Sequence, residues 1–415
     1  MIDRVLDVAG DATERGRMQG EAFRHQLDAG FGALRALPLA PAWLPASVHA
    51  LAIRAAVGGL GRYYLARHGG LLADRDGHRA GELSLLRGLA QGLGTHPALV
   101  YGFNAFEIES AAHDYRLPTL GCTSLGLSAR HTAWGEPALV YNHDFPPSFA
   151  PFLFVRRSRP TRGYRSLSIA YPTLVGAIAG VNEHGLAITV NQAFATDVRR
   201  SRPALFVTML VSACLERASS VEEAIDEVLR TPVTNGAMLT LVDASGERAV
   251  VELSGSERRV RRERDDRILY TFNKYRLAEM EHVEVPVGAV TRGLAGGIDL
   301  HAANVSREDR FRAIVRHDHA YGRDEIRTLM SDHAGGSGSM GTLCAHGGAL
   351  NETIASAILE PAARAMHVLF GRTCEGRYTR IALDVNPRSV PACACVGVGA
   401  SSEAGAPARR PPSAP

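Results

Sequence analysis

The chain has 415 residues, 46% of them hydrophobic and 21% charged, with a formal net charge of +3. That composition supplies enough apolar material for one large core or two domains, and excludes a largely disordered protein. So small a net charge, with no Lys/Arg stripe interleaved with aromatics, argues against a nucleic-acid partner.

The opening residues, "MIDRVLDVAGDATERG", carry acids and no uninterrupted apolar segment, so no secretory signal is expected there. No later apolar run reaches the roughly 18 residues of a membrane span; no membrane partner and a cytoplasmic location are the expectation. In residues 15–95, "ERGRMQGEAFRHQLDAGFGALRAL" and "AGELSLLRGLAQGLG" return apolar residues at intervals of three and four, which predicts helices. Between them, "LPLAPAWLPASVHALAIRAAVGGLGRYYLARHG" is Ala- and Leu-rich with prolines at its start, and predicts a helix pair with a kinked link.

After Cys122 the pattern changes to short β-type runs: "ALVYNHDF", "YRSLSIAYP", "LVGAIAGV", "LAITVNQAF", "AMLTLVDA" and "RAVVELSG". Turn signals at Asn182–Gly185 and Asp243–Gly246 separate them, so antiparallel neighbours in one or two sheets are expected. Two helices interrupt the strands. One follows a capping box of Ser220 with Glu223, and the other is the more basic "SREDRFRAIVRHDHA". Strands resume in "ETIASAILEPAARAMHVLFG" on either side of a turn at Pro361, and the Pro- and Ala-rich residues 397–415 predict a disordered tail.

The six cysteines, Cys122, Cys214, Cys344, Cys374, Cys393 and Cys395, are too sparse for a disulfide scaffold, and "CAC" has no partner pair at zinc-site spacing. His317, Asp318 and His319, with His333 and His346 downstream, show no recognised ligand spacing, and the first three fit the solvated face of a basic helix. No metal or cofactor is expected. "AGGSGSMG", residues 334–341, lacks the closing Gly-Lys-Ser/Thr of a nucleotide loop and reads as an active-site loop or a linker.

The Gly121–Cys122 step stands apart. A thiol placed directly after a glycyl carbonyl can attack that carbonyl where the backbone is strained, and an N-to-S acyl shift followed by hydrolysis would cut the chain there. Cys122 would then carry a thiol and a free α-amine of pKa near ~8, so that nucleophile and base sit in one residue. Asp144, at the end of "ALVYNHDF", is a candidate to orient that amine from a neighbouring strand, with an ordinary turn or edge carboxylate before Pro146 and Pro147 as the alternative. Asn191, Asn235 and Asn273 are candidate donors to an oxyanion or to substrate, each with an ordinary turn or strand-end asparagine as the alternative.

Taken together, "GCTSL" followed by "YNHDF" resembles the acyl-coenzyme A:isopenicillin N acyltransferase family of N-terminal nucleophile hydrolases, with His143 in the aromatic place of the family's Asn-aromatic-Asp-Phe segment. The likeness runs from "ATERGRMQGEAF" through "ALVYGFNAFEIESA", "AGVNEHGLAITVNQA" and "ILYTFNKY" to about residue 390. It departs from the family at Phe272, which separates Thr271 from Asn273, and at Thr373, which replaces a proline. "HGGALNET" lacks the arginine of the penicillin enzyme, so that substrate anchor is not carried over.

The resemblance implies an α+β, four-layer αββα fold with two largely antiparallel sheets. It implies self-cleavage at Gly121 and Cys122 into residues 1–121, an α-rich small chain, and a catalytic region over 122–396, the two pieces staying paired. Asn273 inherits the oxyanion role. The activity expected is hydrolysis of a linear amide through an acyl-Cys122 intermediate; alternatives are acyl transfer from a coenzyme A thioester or amide to an amine, and an unprocessed, non-catalytic scaffold. The expected partner is a small amide or acyl thioester, and a higher homo-oligomer is compatible with the sequence.

Overall fold

The computed structural model describes residues 4–37, 43–72, 80–112, 121–198, 203–291, 297–348 and 350–384. The tail expected over 397–415, with Cys393 and Cys395, lies outside them. The body ends at Leu383, and of the separate segment beginning at Asp384 only that first residue is described.

The chain opens on a strand, β1 (Val5–Gly10), which the sequence reading passed over, and enters α1 (Ala12–Phe23) through a capping box: the Asp11 side chain accepts from the Glu14 N–H and the Glu14 carboxylate from the Asp11 N–H. Four helices follow: α2 (Leu27–Arg35), α3 (Ala46–Leu72), α4 (Ala80–Leu93) and α5 (Pro97–Ala112). The stretch expected as a helix pair with a kinked link contains one 27-residue helix, α3, because its last proline, Pro45, falls before the first turn, where a missing N–H costs no intrahelical bond.

Glycines set the spacing of α1 and α4. A Cβ on Gly16 would lie 2.2 Å from the Leu85 carbonyl oxygen, and one on Gly88 would lie 2.0 Å from that of Thr13. The two backbones touch where any side chain would hold them apart.

The second part contains β2 (Thr123–Leu127), β3 (Ala138–Phe145), β4 (Phe154–Pro160), β5 (Ser166–Ala170), β6 (Ala179–Asn182) and β7 (Leu186–Gln192). After α6 (Val207–Arg217) and α7 (Val221–Arg230) come β8 (Ala237–Asp243), β9 (Arg248–Leu253), β10 (Arg258–Arg261) and β11 (Leu269–Thr271). The last elements are α8 (Ala302–Ile314), α9 (Arg323–Met330), β12 (Glu352–Glu360), β13 (Ala365–Phe370) and β14 (Thr379–Ala382). Ser220 caps α7 as expected, but Glu223 returns to the N–H and hydroxyl of Ser219 rather than to the cap residue itself. Helix α8 stops at Ile314, so His317, Asp318 and His319 are not on a basic helical face. His317 Nδ1 instead accepts the Ile268 N–H, while its carbonyl lies 2.9 Å from His131 Nε2.

The strands form two sheets, in the orders β1-β4-β5-β6-β7-β8-β9-β10 and β11-β2-β3-β12-β13-β14. Every pairing is antiparallel except β1 with β4. Between the sheets lies a hydrophobic core in which Leu139, Tyr141 and Phe145 of β3 meet Ile188, Val190 and Leu239 of the larger sheet. Helices α6 and α7 cover the outer face of the larger sheet, and α8 and α9 that of the smaller one, where Phe311, Ile326 and Met330 pack on Leu125, Val140 and Ile358. This is the four-layer α+β sandwich expected. No helix among the described residues is long and apolar enough to cross a membrane.

Candidate active site

Cys122 precedes the first residue of β2, an interior strand of the smaller sheet next to its edge strand β11, and only 4% of its surface is exposed. Its neighbours come from β3, the adjacent antiparallel strand, in a register that sets Thr123 opposite Asn142. Alternation along β3 divides them: Tyr141 and His143 face the larger sheet, while Asn142 and Asp144 face α8, α9 and the 331–351 loop. Accordingly the Tyr141 hydroxyl reaches the Val190 carbonyl at 2.8 Å, and Asn142 Nδ2 donates to the Met330 and Leu343 carbonyls.

The thiol sits in a cluster of neutral polar groups. Cys122 Sγ is 3.2 Å from the Tyr141 hydroxyl and 3.7 Å from His143 Nδ1, and the far nitrogen of that ring is 3.0 Å from the Tyr171 hydroxyl. One phenolic hydrogen serves both the Val190 carbonyl and the sulfur, so it can turn to the sulfur when a thiolate forms. Burial pushes the Cys122 thiol up to about 12, the Asp144 charge adds to this, and the Tyr141 hydroxyl and Asp144 backbone amide act in the opposite direction. Burial also lowers His143 to about 3, leaving a neutral imidazole beside the sulfur.

Asp144 is fully buried. Its Oδ2 accepts from Arg307 Nη1 at 3.1 Å and its Oδ1 from the Thr353 hydroxyl at 2.6 Å. Burial raises this carboxyl to about 7 against the pull of Arg307 and Thr353. Arg307 is itself fully buried on α8; its Nη2 donates to Asn273 Oδ1 at 3.0 Å and to Asn304 Oδ1 at 2.6 Å. The guanidinium thus joins the aspartate to the asparagine, two candidates that lie 129 positions apart in the chain.

The three candidate asparagines are placed differently. Asn235 lines the same cavity as Cys122 and Asp144, a space of about 400 Å³, and its Oδ1 accepts from the Thr234 hydroxyl. Asn273 is tied to that group through Arg307, and its Nδ2 donates to the carbonyl of Gln192, another cavity residue. Asn191 is buried off the cavity, accepting from Ser124 Oγ and donating to the Thr271 carbonyl.

Gly121 packs against the polar cluster. A Cβ there would lie 2.6 Å from Asn351 Nδ2 and 2.8 Å from Asp144 Oδ2, so only glycine fits at this junction. Both side-chain polar atoms of Asn351 are buried without a hydrogen-bond partner, a costly arrangement for groups beside a peptide bond that could use them. Beside the Cys122 cavity, and sharing Phe145 with it, runs an apolar cleft of about 660 Å³ lined by Leu27, Leu34, Phe103, Phe149, Phe152 and Tyr171, among others.

Reading residues along the chain did not find Arg307, Asn351 or Thr353. Arg307 is one of four arginines in "SREDRFRAIVR", and nothing local separates the buried one from the solvated ones. Tyr141 and His143 were within reach of strand alternation in "YNHDF".

A two-sheet sandwich between helical layers, with a buried Gly-Cys step entering an interior strand and an aspartate on the next strand, defines an N-terminal nucleophile hydrolase. Residues 133–375, more than half of the chain, match the family described as acyl-coenzyme A:6-aminopenicillanic acid acyl-transferase, and the protein belongs to it. Cys122 lies eleven residues ahead of the matched span. No curated protein matches the chain.

Among solved structures, the chain is similar to an N-acylethanolamine-hydrolyzing acid amidase ortholog of Caenorhabditis elegans, at 10% identity and a TM-score of 0.39, covering 58% of this chain and 93% of that one. It is also similar to a mutant form of a conjugated bile acid hydrolase from Clostridium perfringens, at 13% identity and 0.38, covering 63% and 92%. A penicillin V acylase from Agrobacterium tumefaciens gives 13% and 0.32, covering 60% and 83%. Likeness at this level carries nothing about substrate.

Proposed function

We propose that the chain cuts itself between Gly121 and Cys122 and that the new N-terminal Cys122 then hydrolyses amides through an acyl-enzyme. The observation that carries this is the position of the Gly121–Cys122 junction, packed against Asp144, Arg307 and Asn351 at the start of an interior strand. Before cleavage there is no free amine, so the thiol needs another proton acceptor. We assign that task to Asp144, which lines the same cavity as the thiol, has Oδ2 against Gly121 and carries a carboxyl raised to about 7. The thiolate adds to the Gly121 carbonyl carbon, the Cys122 nitrogen leaves with a proton, and water hydrolyses the resulting thioester. The products are a Gly121 carboxylate and a Cys122 bearing thiol and amine. The unpartnered Asn351 amide supplies a donor for the oxyanion of this step.

In turnover, the Cys122 amine takes the thiol proton, sulfur attacks the amide carbon, and the proton passes to the leaving amine. Asp144 orients the ammonium, and Asn273, held by Arg307, stabilises the oxyanion, with Asn235 facing the same cavity and Asn191 supporting it from behind. Water, activated by the Cys122 amine, releases the acid. The adjacent apolar cleft favours substrates with a bulky apolar acyl group over small polar ones. If an amine enters in place of water the same intermediate gives acyl transfer, the second reading, which the family's own description favours.

The test is to incubate the purified protein with p-nitroanilides of acetic, octanoic and phenylacetic acids and read the denatured mass. The expected result is an acyl adduct on the fragment that begins at Cys122, formed with the octanoyl or phenylacetyl compound in preference to acetyl. Hydroxylamine then separates the two fates, since a transferase yields the hydroxamate faster than the acid. A self-cleaved protein that neither acquires an adduct nor releases p-nitroaniline from any of them contradicts the amidase reading.

A further inference from the structure

We propose that His333, Cys344, His346 and Cys374 bind one zinc ion, which fastens the 331–348 loop to the β13–β14 connection, beside the strand that carries Asp144. One ligand atom from each of the four lies within 4.8 Å of all the others. Cys344 Sγ is 3.6 Å and Cys374 Sγ 3.5 Å from His346 Nε2. Tetrahedral zinc with Zn–S near 2.3 Å and Zn–N near 2.0–2.1 Å has sulfur-to-nitrogen edges of about 3.6 Å, so these separations need no rearrangement to receive the ion. The His333 ring stands edge-on to His346 with centroids 4.5 Å apart, and His333 Nε2 is buried with no hydrogen-bond partner. A nitrogen lone pair or N–H left in that state beside two thiols is accounted for by a metal that takes it as a ligand.

Spacing along the chain hides the set because its members come from three separated segments. Cys344 and His346 are two apart in an extended stretch and so point to one side; His333 precedes them by a glycine-rich turn and Cys374 follows β13. Gly338, at φ +91°, lies so close to the His346 ring that a Cβ would be 2.8 Å from it, which gives this one glycine of "AGGSGSMG" a reason: the loop folds over the His346 ring there. Two thiolates and two imidazoles form a closed, four-ligand shell with no place for substrate, the mark of a structural rather than a catalytic zinc.

The consequence reaches the nucleophile by short bonds. Ala345, between two of the ligands, accepts the Thr353 N–H at its carbonyl and gives its own N–H to the Thr353 hydroxyl, which in turn donates to Asp144. The residues just before the two cysteines, Leu343 and Thr373, bind the side chain of Asn142, two positions before Asp144.

The experiment uses the full chain, purified without a metal-affinity resin and under reducing conditions. Elemental analysis is expected to find one zinc per chain. Removing it with a chelator and adding Co²⁺ alone should produce the visible absorption of tetrahedral cobalt together with thiolate-to-metal charge transfer, and excess Zn²⁺ should abolish both. Cys344→Ser with Cys374→Ser should lose the zinc and the charge-transfer band. If that variant fails to fold, the wild-type cobalt spectrum decides alone. A wild-type chain with neither zinc nor a cobalt–thiolate spectrum overturns the proposal. So does a Cys344–Cys374 disulfide that, once reduced, still takes up no metal, or full zinc retention by the double serine variant.

Discussion

Asp144 has no contact with solvent and two committed donors, Arg307 and Thr353, and the balance between burial and those donors sets when it can accept a proton. With the carboxyl raised to about 7, the deprotonated, basic form is the majority only above that pH. Self-cleavage of chain recovered unfolded and then refolded is therefore expected to accelerate from pH 5.5 to about 7 and level off above, as followed by fragment formation on denaturing gels. Asp144→Asn should lose that rise and slow cleavage by about 10²-fold or more, the usual worth of a positioned general base. An unchanged rate in the asparagine variant contradicts the assignment. At this scale the sequence was informative only where chemistry and adjacency coincide: the Gly121–Cys122 step and Asp144 are visible along the chain. Arg307 matters through burial and through Asp144, 163 positions away, and Asn351 through its burial against Gly121, neither of which a local pattern encodes.

Among the elements, β3 is the one the sequence displays most fully. "ALVYNHDF" was predicted as a strand and is one from its first residue to its last, since it is apolar enough to sit between two neighbours and its polar residues all find partners. β1 was missed because "VLDVAG" is short and holds an acid, and its place is fixed by a parallel pairing with β4, some 150 residues on. Strand β12 reaches Asp144 through an irregularity at Thr353/Ala355 that sets Thr353 opposite Asp144, a detail of register beyond any periodicity. The reason for the glycines of α1 and α4, backbone contact, needed the fold. Gly88→Ala would drive a methyl into the Thr13 carbonyl and should cost about 1–3 kcal/mol, the range for overpacking. A lowered thermal midpoint with cleavage still occurring is the expected outcome; an unchanged midpoint means that the two helices separate more easily than their contact implies.

For the whole molecule, the proposed cut falls between two parts that share one interior. Phe31, Leu34 and Val57 from before the cut belong to the same buried cluster as Phe145, Phe149 and Phe154 from after it. β1 adds its backbone to β4, and Asn104 ties α5 to the Thr173 carbonyl and the Val175 N–H. Apolar burial on this scale outweighs the loss of one covalent link, so the fragments are expected to travel as one species in native mass spectrometry and to separate only when denatured. The measurement that bears most directly on the account is the denatured mass of the purified wild-type protein beside Cys122→Ala. The account predicts two wild-type fragments whose boundary lies between Gly121 and Cys122, and one uncut chain for the variant. A wild-type chain that stays whole after long incubation, or a variant that is cut at the same bond, would contradict it.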